Sequence, residues 1–259
     1  VVHGALGGEP ITGSVSFPIF QTATFKFRGL GDSLGFDYTR CQNPTIEELE
    51  RTMAILEEGT EGFALSSGMA AVMCAFSILK PEDHLILSDD IYGGTYEIAQ
   101  TVLVDNKIET SFVDLSDIEL FKKNIKSNTK MVFIESPTNP MMKVADIAEI
   151  CKIAKEKNII VAVDNTLLTP YYQKPLTLGA DIVVHSGTKY LEGHNDTMAG
   201  FVVVKDEKIG QAMRNFLKYQ GACLAPLNAW LTLRGIKTLE IRMQRHNENT
   251  MKVAKWLRN

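Results

Sequence analysis

The chain has 259 residues, 45% of them apolar, with 27 Lys and Arg against 31 Asp and Glu and a formal net charge of -4. At roughly 100–200 residues per domain this is one large domain or two modest ones, with enough chain to bury a core unaided. The mild acidity excludes the basic surplus of a nucleic-acid or anionic-membrane protein, and no apolar run approaches the roughly 18 residues of a membrane span.

The opening VVHGALGGEP has no basic stretch leading into an apolar one, so no signal peptide is expected. Residues 1–43 read as an irregular arm, rich in Gly, Thr, Ser and Phe and without helical period. Order begins at Asn43-Pro44-Thr45, where Asn43 suits an N-cap and Pro44 the first helical position. Ile46, Leu49, Met53 and Leu56 then share one face, and Gly59 is expected to end the helix.

Beyond it the chain alternates. Strand-length apolar runs lie at 62–66, 84–87, 109–113, 131–135, 159–164, 181–185 and 200–204; helical patterns lie at 69–79, 95–104, 117–125, 146–157 and 207–219. Strands apolar at successive positions are buried on both faces, so the pattern predicts an α/β fold with a mostly parallel sheet and helices on each side. From about Pro226 only helical patterns remain, at 226–233 and 238–257. The expected division is an arm at 1–43, a large domain at 44–225, and at 226–259 the helical start of a C-terminal domain.

Ligands of such sheets sit beyond the carboxyl ends of the strands. The polar residues there are Ser66-Ser67-Gly68, Asp89-Asp90, Glu135-Ser136, Asp164-Asn165 and His185-Ser186. Gly29-Leu30-Gly31-Asp32-Ser33-Leu34-Gly35 looks like a dinucleotide loop, but its third glycine is one place late and it opens no helix. His185 and His194 lack a third ligand nearby, and Cys41, Cys74, Cys151 and Cys223 form no CxxC pair, so no metal site or disulfide framework is expected. A reduced, cytoplasmic setting follows from that cysteine usage.

The informative pair is Asp164, ending one apolar run, and Lys189, just past another. On spacing alone they read equally well as a helix cap and a solvated lysine. The alternative is pyridoxal 5'-phosphate, which needs a lysine for its Schiff base, an acid at the pyridine nitrogen and donors for a phosphate. Ser67-Gly68-Met69 opens a helix after a strand, which offers free N–H groups to an anion. Ser186 and Thr188 add hydroxyls beside the lysine, and Tyr92 offers a ring to stack on a pyridine.

Read in order, TGSVSFPIFQTATF (12–25), DYTRCQNPT (37–45), SSGMAAV (66–72), SDDIYGGT (88–95), ESPTNP (135–140), VDNTLLTP (163–170), HSGTKYLEGHND (185–196) and APLNAWLTLRGIKTLEIRMQRH (225–246) span the whole chain. Together they resemble the Cys/Met-metabolism, or transsulfuration, family of pyridoxal-phosphate enzymes: cystathionine γ-synthase, cystathionine β- and γ-lyases and methionine γ-lyase. The resemblance implies a fold-type I, aspartate-aminotransferase-like architecture and assigns residues to roles. Lys189 would bind the cofactor covalently, Asp164 would face the pyridine nitrogen, and Tyr92 would stack on the ring. Ser67, Gly68, Met69, Ser186 and Thr188 would hold the phosphate, and Asn139 would touch the ring or the substrate carboxylate. Tyr38 and Arg40 would reach the phosphate in the neighbouring subunit, which implies an obligate dimer, usually paired into a tetramer. Family members also continue into a small C-terminal α/β domain that supplies an arginine for the substrate carboxylate.

The expected activity is β- or γ-elimination on cystathionine or a related sulfur amino acid. Glu97 stands where synthases commonly have arginine, which places γ-replacement on an O-acylhomoserine second. An aminotransferase, and a cofactor-holding subunit without turnover, are the readings from other classes.

Overall fold

The computed structural model describes residue 5 and residues 8–258. Seven strands form one sheet: β1 (Glu61–Leu65), β2 (His84–Ser88), β3 (Glu109–Val113), β4 (Thr129–Glu135), β5 (Ile160–Asp164), β6 (Ile182–Ser186) and β7 (Gly200–Val204). Their spatial order is β1-β7-β6-β5-β4-β2-β3. β7 runs antiparallel to both neighbours, and every other pair is parallel. The apolar runs of the sequence are thus strands covered on both faces. Phe63, Leu65, Leu85, Leu87 and Phe133 face one layer, and Ala64, Ile86, Val132 and Ile134 face the other.

The first layer holds α2 (Gly68–Phe76) and α8 (Glu207–Gln220). The second holds α1 (Pro44–Glu57), α6 (Ile147–Glu156) and α9 (Pro226–Ile236), with the start of α10 (Leu239–Arg258) packed beside α9 through Leu239 and Met243. The remaining helices are α3 (Gly93–Gln100), α4 (Val102–Asp105), α5 (Ile118–Asn124) and the short α7 (Thr169–Tyr172), which the periodicity does not predict. Nothing among the described helices is long and apolar enough to cross a membrane.

Asn43 caps α1 as expected, its side chain accepting the Thr45 N–H at 3.0 Å. The helix does not end on Gly59, however. Glu58 takes the left-handed turn, with φ 57. Gly59 is small for another reason: a Cβ there would lie 2.4 Å from Val203 Cγ1. The pattern expected to run through 95–104 breaks at Thr101, whose backbone leaves helical geometry at φ -121 and ψ -78 and whose hydroxyl turns back to the Glu97 carbonyl, a bond that bends helices. Residue 5 and residues 8–43 of the arm are irregular apart from isolated bridges such as Thr24–Tyr38, residues 1–4, 6 and 7 lying outside the described residues, and Gly29 to Asp32 form an exposed turn within it.

Candidate active site

β4, β5 and β6 are neighbours and end side by side at Glu135, Asp164 and Ser186. Asp164 stands at the floor of this crevice. Its Oδ1 accepts the Thr166 N–H at 3.0 Å. Burial pushes its carboxyl above the ordinary range, while the N–H and hydroxyl of Thr166 and the nearby His185 pull it down. Among the described residues no lysine or arginine pairs with it. The Thr166 hydroxyl in turn accepts the Ser186 N–H at 2.8 Å, which clips the end of β5 to the end of β6.

Ser186 lies against the start of α2. A Cβ at Gly68 would be 2.7 Å from Ser186 Cβ and 2.9 Å from its hydroxyl oxygen, so only glycine leaves space between them. Ser67 caps α2 by accepting the Ala70 N–H at 3.1 Å. The N–H groups of Gly68 and Met69 have no partner among the described residues. Two free donors at the positive end of a helix, beside a hydroxyl, form a receptor for an anion.

Tyr92 closes the circuit. It precedes α3, and a Cβ on Gly94 would lie 2.7 Å from the Tyr92 ring and 2.8 Å from Met69 Sδ. The Tyr92 ring and the Met69 side chain thus flank Gly94, and Tyr92 is 48% exposed. The Tyr92 N–H donates to Glu135 at 2.9 Å, and Glu135 is the register partner of Asp164 across β4 and β5. A series of neighbours thus runs from Asp164 through Thr166, Ser186, Gly68, Met69, Gly94, Tyr92 and Glu135 back to Asp164. Asn139 borders this circuit in the loop after β4. That loop is tied to Asp90, which accepts the Thr138 hydroxyl and, at 2.9 Å, the Met141 N–H.

Lys189 follows β6 by three residues and is exposed. It forms no ion pair among the described residues. The turn that carries it is held rigidly. The Thr188 hydroxyl engages the Ala199 backbone at 3.3 Å on both N–H and carbonyl. The Arg242 guanidinium donates to the carbonyls of Tyr190 at 2.6 Å and Gly235 at 2.9 Å, and buried Glu192 accepts the N–H groups of His194 and Asn195 at 2.9 Å.

The predicted site residues Asp164, Lys189, Tyr92, Ser67, Gly68, Met69, Ser186, Thr188 and Asn139 all lie at this end of the sheet. Thr166 and Glu135 join them without a predicted role; their one signal in the sequence is a place at or just past a strand end. Tyr38 and Arg40 lie elsewhere in the chain. Arg40 sits 5.2 Å over the Tyr38 ring, donates to the Lys218 carbonyl, and lines a separate cavity of about 510 Å³ with Glu50, Glu61 and Arg214.

The model of the Cys/Met metabolism PLP-dependent enzymes matches residues 1–259. The chain belongs to that family. Its cofactor is pyridoxal 5'-phosphate, and its chemistry is that of cysteine and methionine metabolism. Among relatives, it is 47% identical over 249 residues to a cystathionine gamma-synthase/O-acetylhomoserine (thiol)-lyase of Bacillus subtilis (strain 168), covering 96% of this chain and 67% of the relative. It is 46% identical over 257 residues to a cystathionine beta-lyase of Lactococcus lactis subsp. cremoris, covering 99% and 68%. A crystal structure of cystathionine gamma-lyase from Lactobacillus plantarum, complexed with L-serine, superposes with a TM-score of 0.97 at 39% identity, covering 100% of this chain and 68% of that one. The sheet described above is the fold-type I scaffold of these enzymes, and the chain spans about two thirds of their length.

The residues present fit the family's cofactor. A half-buried carboxylate without a cation partner among the described residues suits a protonated pyridine nitrogen, and the space left by Gly68 beside Ser186 suits a phosphate.

Proposed function

We propose that this chain carries out carbon–sulfur bond cleavage by β- or γ-elimination on cystathionine or a related sulfur amino acid. The observation that carries this reading is the circuit joining Asp164, a half-buried carboxylate with no cation beside it among the described residues, to the anion receptor at Gly68 and Ser186, three residues before Lys189. Pyridoxal phosphate, when bound, supplies an electron sink for the electrons left at the substrate Cα. The chain's own residues do the rest. Asp164 keeps a negative charge against the ring nitrogen. Gly68 and Met69 donate their N–H groups to the phosphate, with the hydroxyls of Ser186 and Thr188 beside them. Lys189 anchors the cofactor, takes the Cα proton as general base and carries it onward. Tyr92 covers one face of the ring and protonates the departing sulfur. Asn139 orients the substrate carboxylate or the ring.

In this reading residues 1–43 are an arm, 44–225 the cofactor domain and 226–259 the helical lead into what the longer relatives carry. Tyr38 and Arg40 serve the phosphate of a second copy, so the working unit is a dimer or a pair of dimers. A γ-replacement on an O-acylhomoserine is the second reading, favoured by the 47% identity to a relative named as a synthase.

The test is reduction of the yellow protein with borohydride followed by peptide mapping, together with assay of pyruvate and 2-oxobutyrate from cystathionine. Label on Lys189 and release of a keto acid are expected. Label on another lysine overturns the site. Condensation of O-acylhomoserine with cysteine, without elimination, moves the activity to the synthase reading.

A further inference from the structure

Glu135 is used by no step above, yet it occupies the centre of the circuit. It ends β4 as the register partner of Asp164 on β5, so two carboxylates stand side by side at the strand ends. Its side chain is buried, and its own N–H donates to Ser88 Oγ at 3.1 Å. Its Oε2 accepts the Tyr92 N–H at 2.9 Å, and the Asn139 N–H faces the same carboxylate in a weaker contact. Tyr92 is the N-cap of α3 and has no side-chain cap of its own. A carboxylate from another strand therefore caps that helix at its positive end.

We propose that Glu135 is a positioning residue, which ties the Tyr92 loop and the Asn139 loop to the end of β4 beside Asp164. The roles of Tyr92 and Asn139 rest on the function proposed above, whereas the two contacts do not. A side chain half exposed, as that of Tyr92 is, keeps its ring over a cofactor only if its backbone is fixed; α3 holds the Tyr92 carbonyl through the Thr95 and Tyr96 N–H groups, and Glu135 holds its N–H. The charges facing Glu135 are Asp164 on β5 and Asp90 in the loop after β2, with no cation opposite among the described residues. Burial and these two acids hold its carboxyl up at about 7, against the pull of the Tyr92 and Asn139 N–H groups. The ionised form is the stronger acceptor, so the grip on Tyr92 tightens as pH rises through neutrality.

Amide hydrogen exchange and amide resonances of the full chain, compared for wild type and Glu135→Gln, test this. Loss of one charge-assisted bond predicts exchange at Tyr92 that is roughly tenfold to a hundredfold faster, a smaller change at Asn139, and no change at Ala64 or Val161 in the core. In the wild type the Tyr92 resonance should move with a midpoint near 7, and in Glu135→Gln that midpoint should vanish. Uniform acceleration of all amides, or a Tyr92 midpoint that survives the substitution, overturns the proposal. If the variant does not fold, a wild-type Tyr92 amide that is unprotected or insensitive to pH overturns it equally. Visible circular dichroism of the loaded protein separates the two readings. A wild type that takes up no cofactor defeats the proposed function and leaves the exchange result standing. A normal wild-type signal that Glu135→Gln leaves unchanged defeats the positioning role alone.

Discussion

Glu57, at the end of α1, and His185, on β6, meet at 2.6 Å with both side chains fully buried. The same Glu57 oxygen accepts Asn165 Nδ2 at 2.9 Å, and Asn165 exchanges bonds with Gln173. His185 and Asn165 directly adjoin Ser186 and Asp164 in the chain, so this network underlies the site on the side away from the crevice. Glu57→Ala leaves the His185 ring without a partner on either nitrogen, since Nδ1 already lacks one. Buried polar groups stripped of partners are costly, so chemical denaturation should show a loss of about 3 kcal/mol. Glu58→Ala, at an exposed ion pair with Lys174, should change the midpoint little.

Gly68→Ala should weaken cofactor binding about tenfold or more, because the new methyl occupies the space beside the Ser186 hydroxyl. Gly93→Ala is the control, since nothing lies within 4 Å of its Cβ position. Fluorescence or absorbance titration with pyridoxal phosphate measures both. Equal affinities for the two variants would remove Gly68 from the phosphate site.

Asp164→Asn should retain the cofactor and lower turnover on the order of 10³-fold, the scale of losing one strong electrostatic stabiliser. Asp164→Glu should do better, since the ring nitrogen needs charge more than shape. The comparison is of kcat at saturating substrate, and near-wild-type turnover in the Asn variant would refute the role.

His84 begins β2 and is fully buried, with Nδ1 2.8 Å from the Thr129 hydroxyl and Nε2 2.8 Å from that of Ser111. Burial, helped by Lys126, holds its imidazole below the ordinary 6.5. The folded chain therefore binds this proton less readily than the unfolded chain. The stability it contributes is complete above about pH 6.5 and drains away as pH falls toward the depressed value. Urea midpoints at about pH 7.5 and about pH 5 should show wild type losing more on acidification than His84→Gln. Glu135 and Asp164, whose carboxyls are raised, act in the opposite direction in both proteins, so the difference between the two isolates His84.

Much of this molecule was determined by sequence alone, because the signals are local. Runs such as Ile160–Asp164 and Ile182–Ser186, apolar at successive positions, can only be strands covered on both faces, and the ends of such strands are where a ligand must sit. Asn43-Pro44 and Ser67-Gly68 announce helix starts through capping chemistry that spans three residues. The remaining features depend on contacts between distant segments. Glu58 rather than Gly59 turns left-handed, and Gly59 is needed instead for clearance from Val203. Helix and strand periodicity also cannot say that a Glu135 oxygen lands on the Tyr92 N–H 43 residues away, or that Thr166 bridges Asp164 to Ser186. A polar residue at a strand end could face solvent equally well until the order of strands is known. The order β6-β5-β4 sets Ser186, Asp164 and Glu135 side by side, and that adjacency turns isolated polar residues into one site.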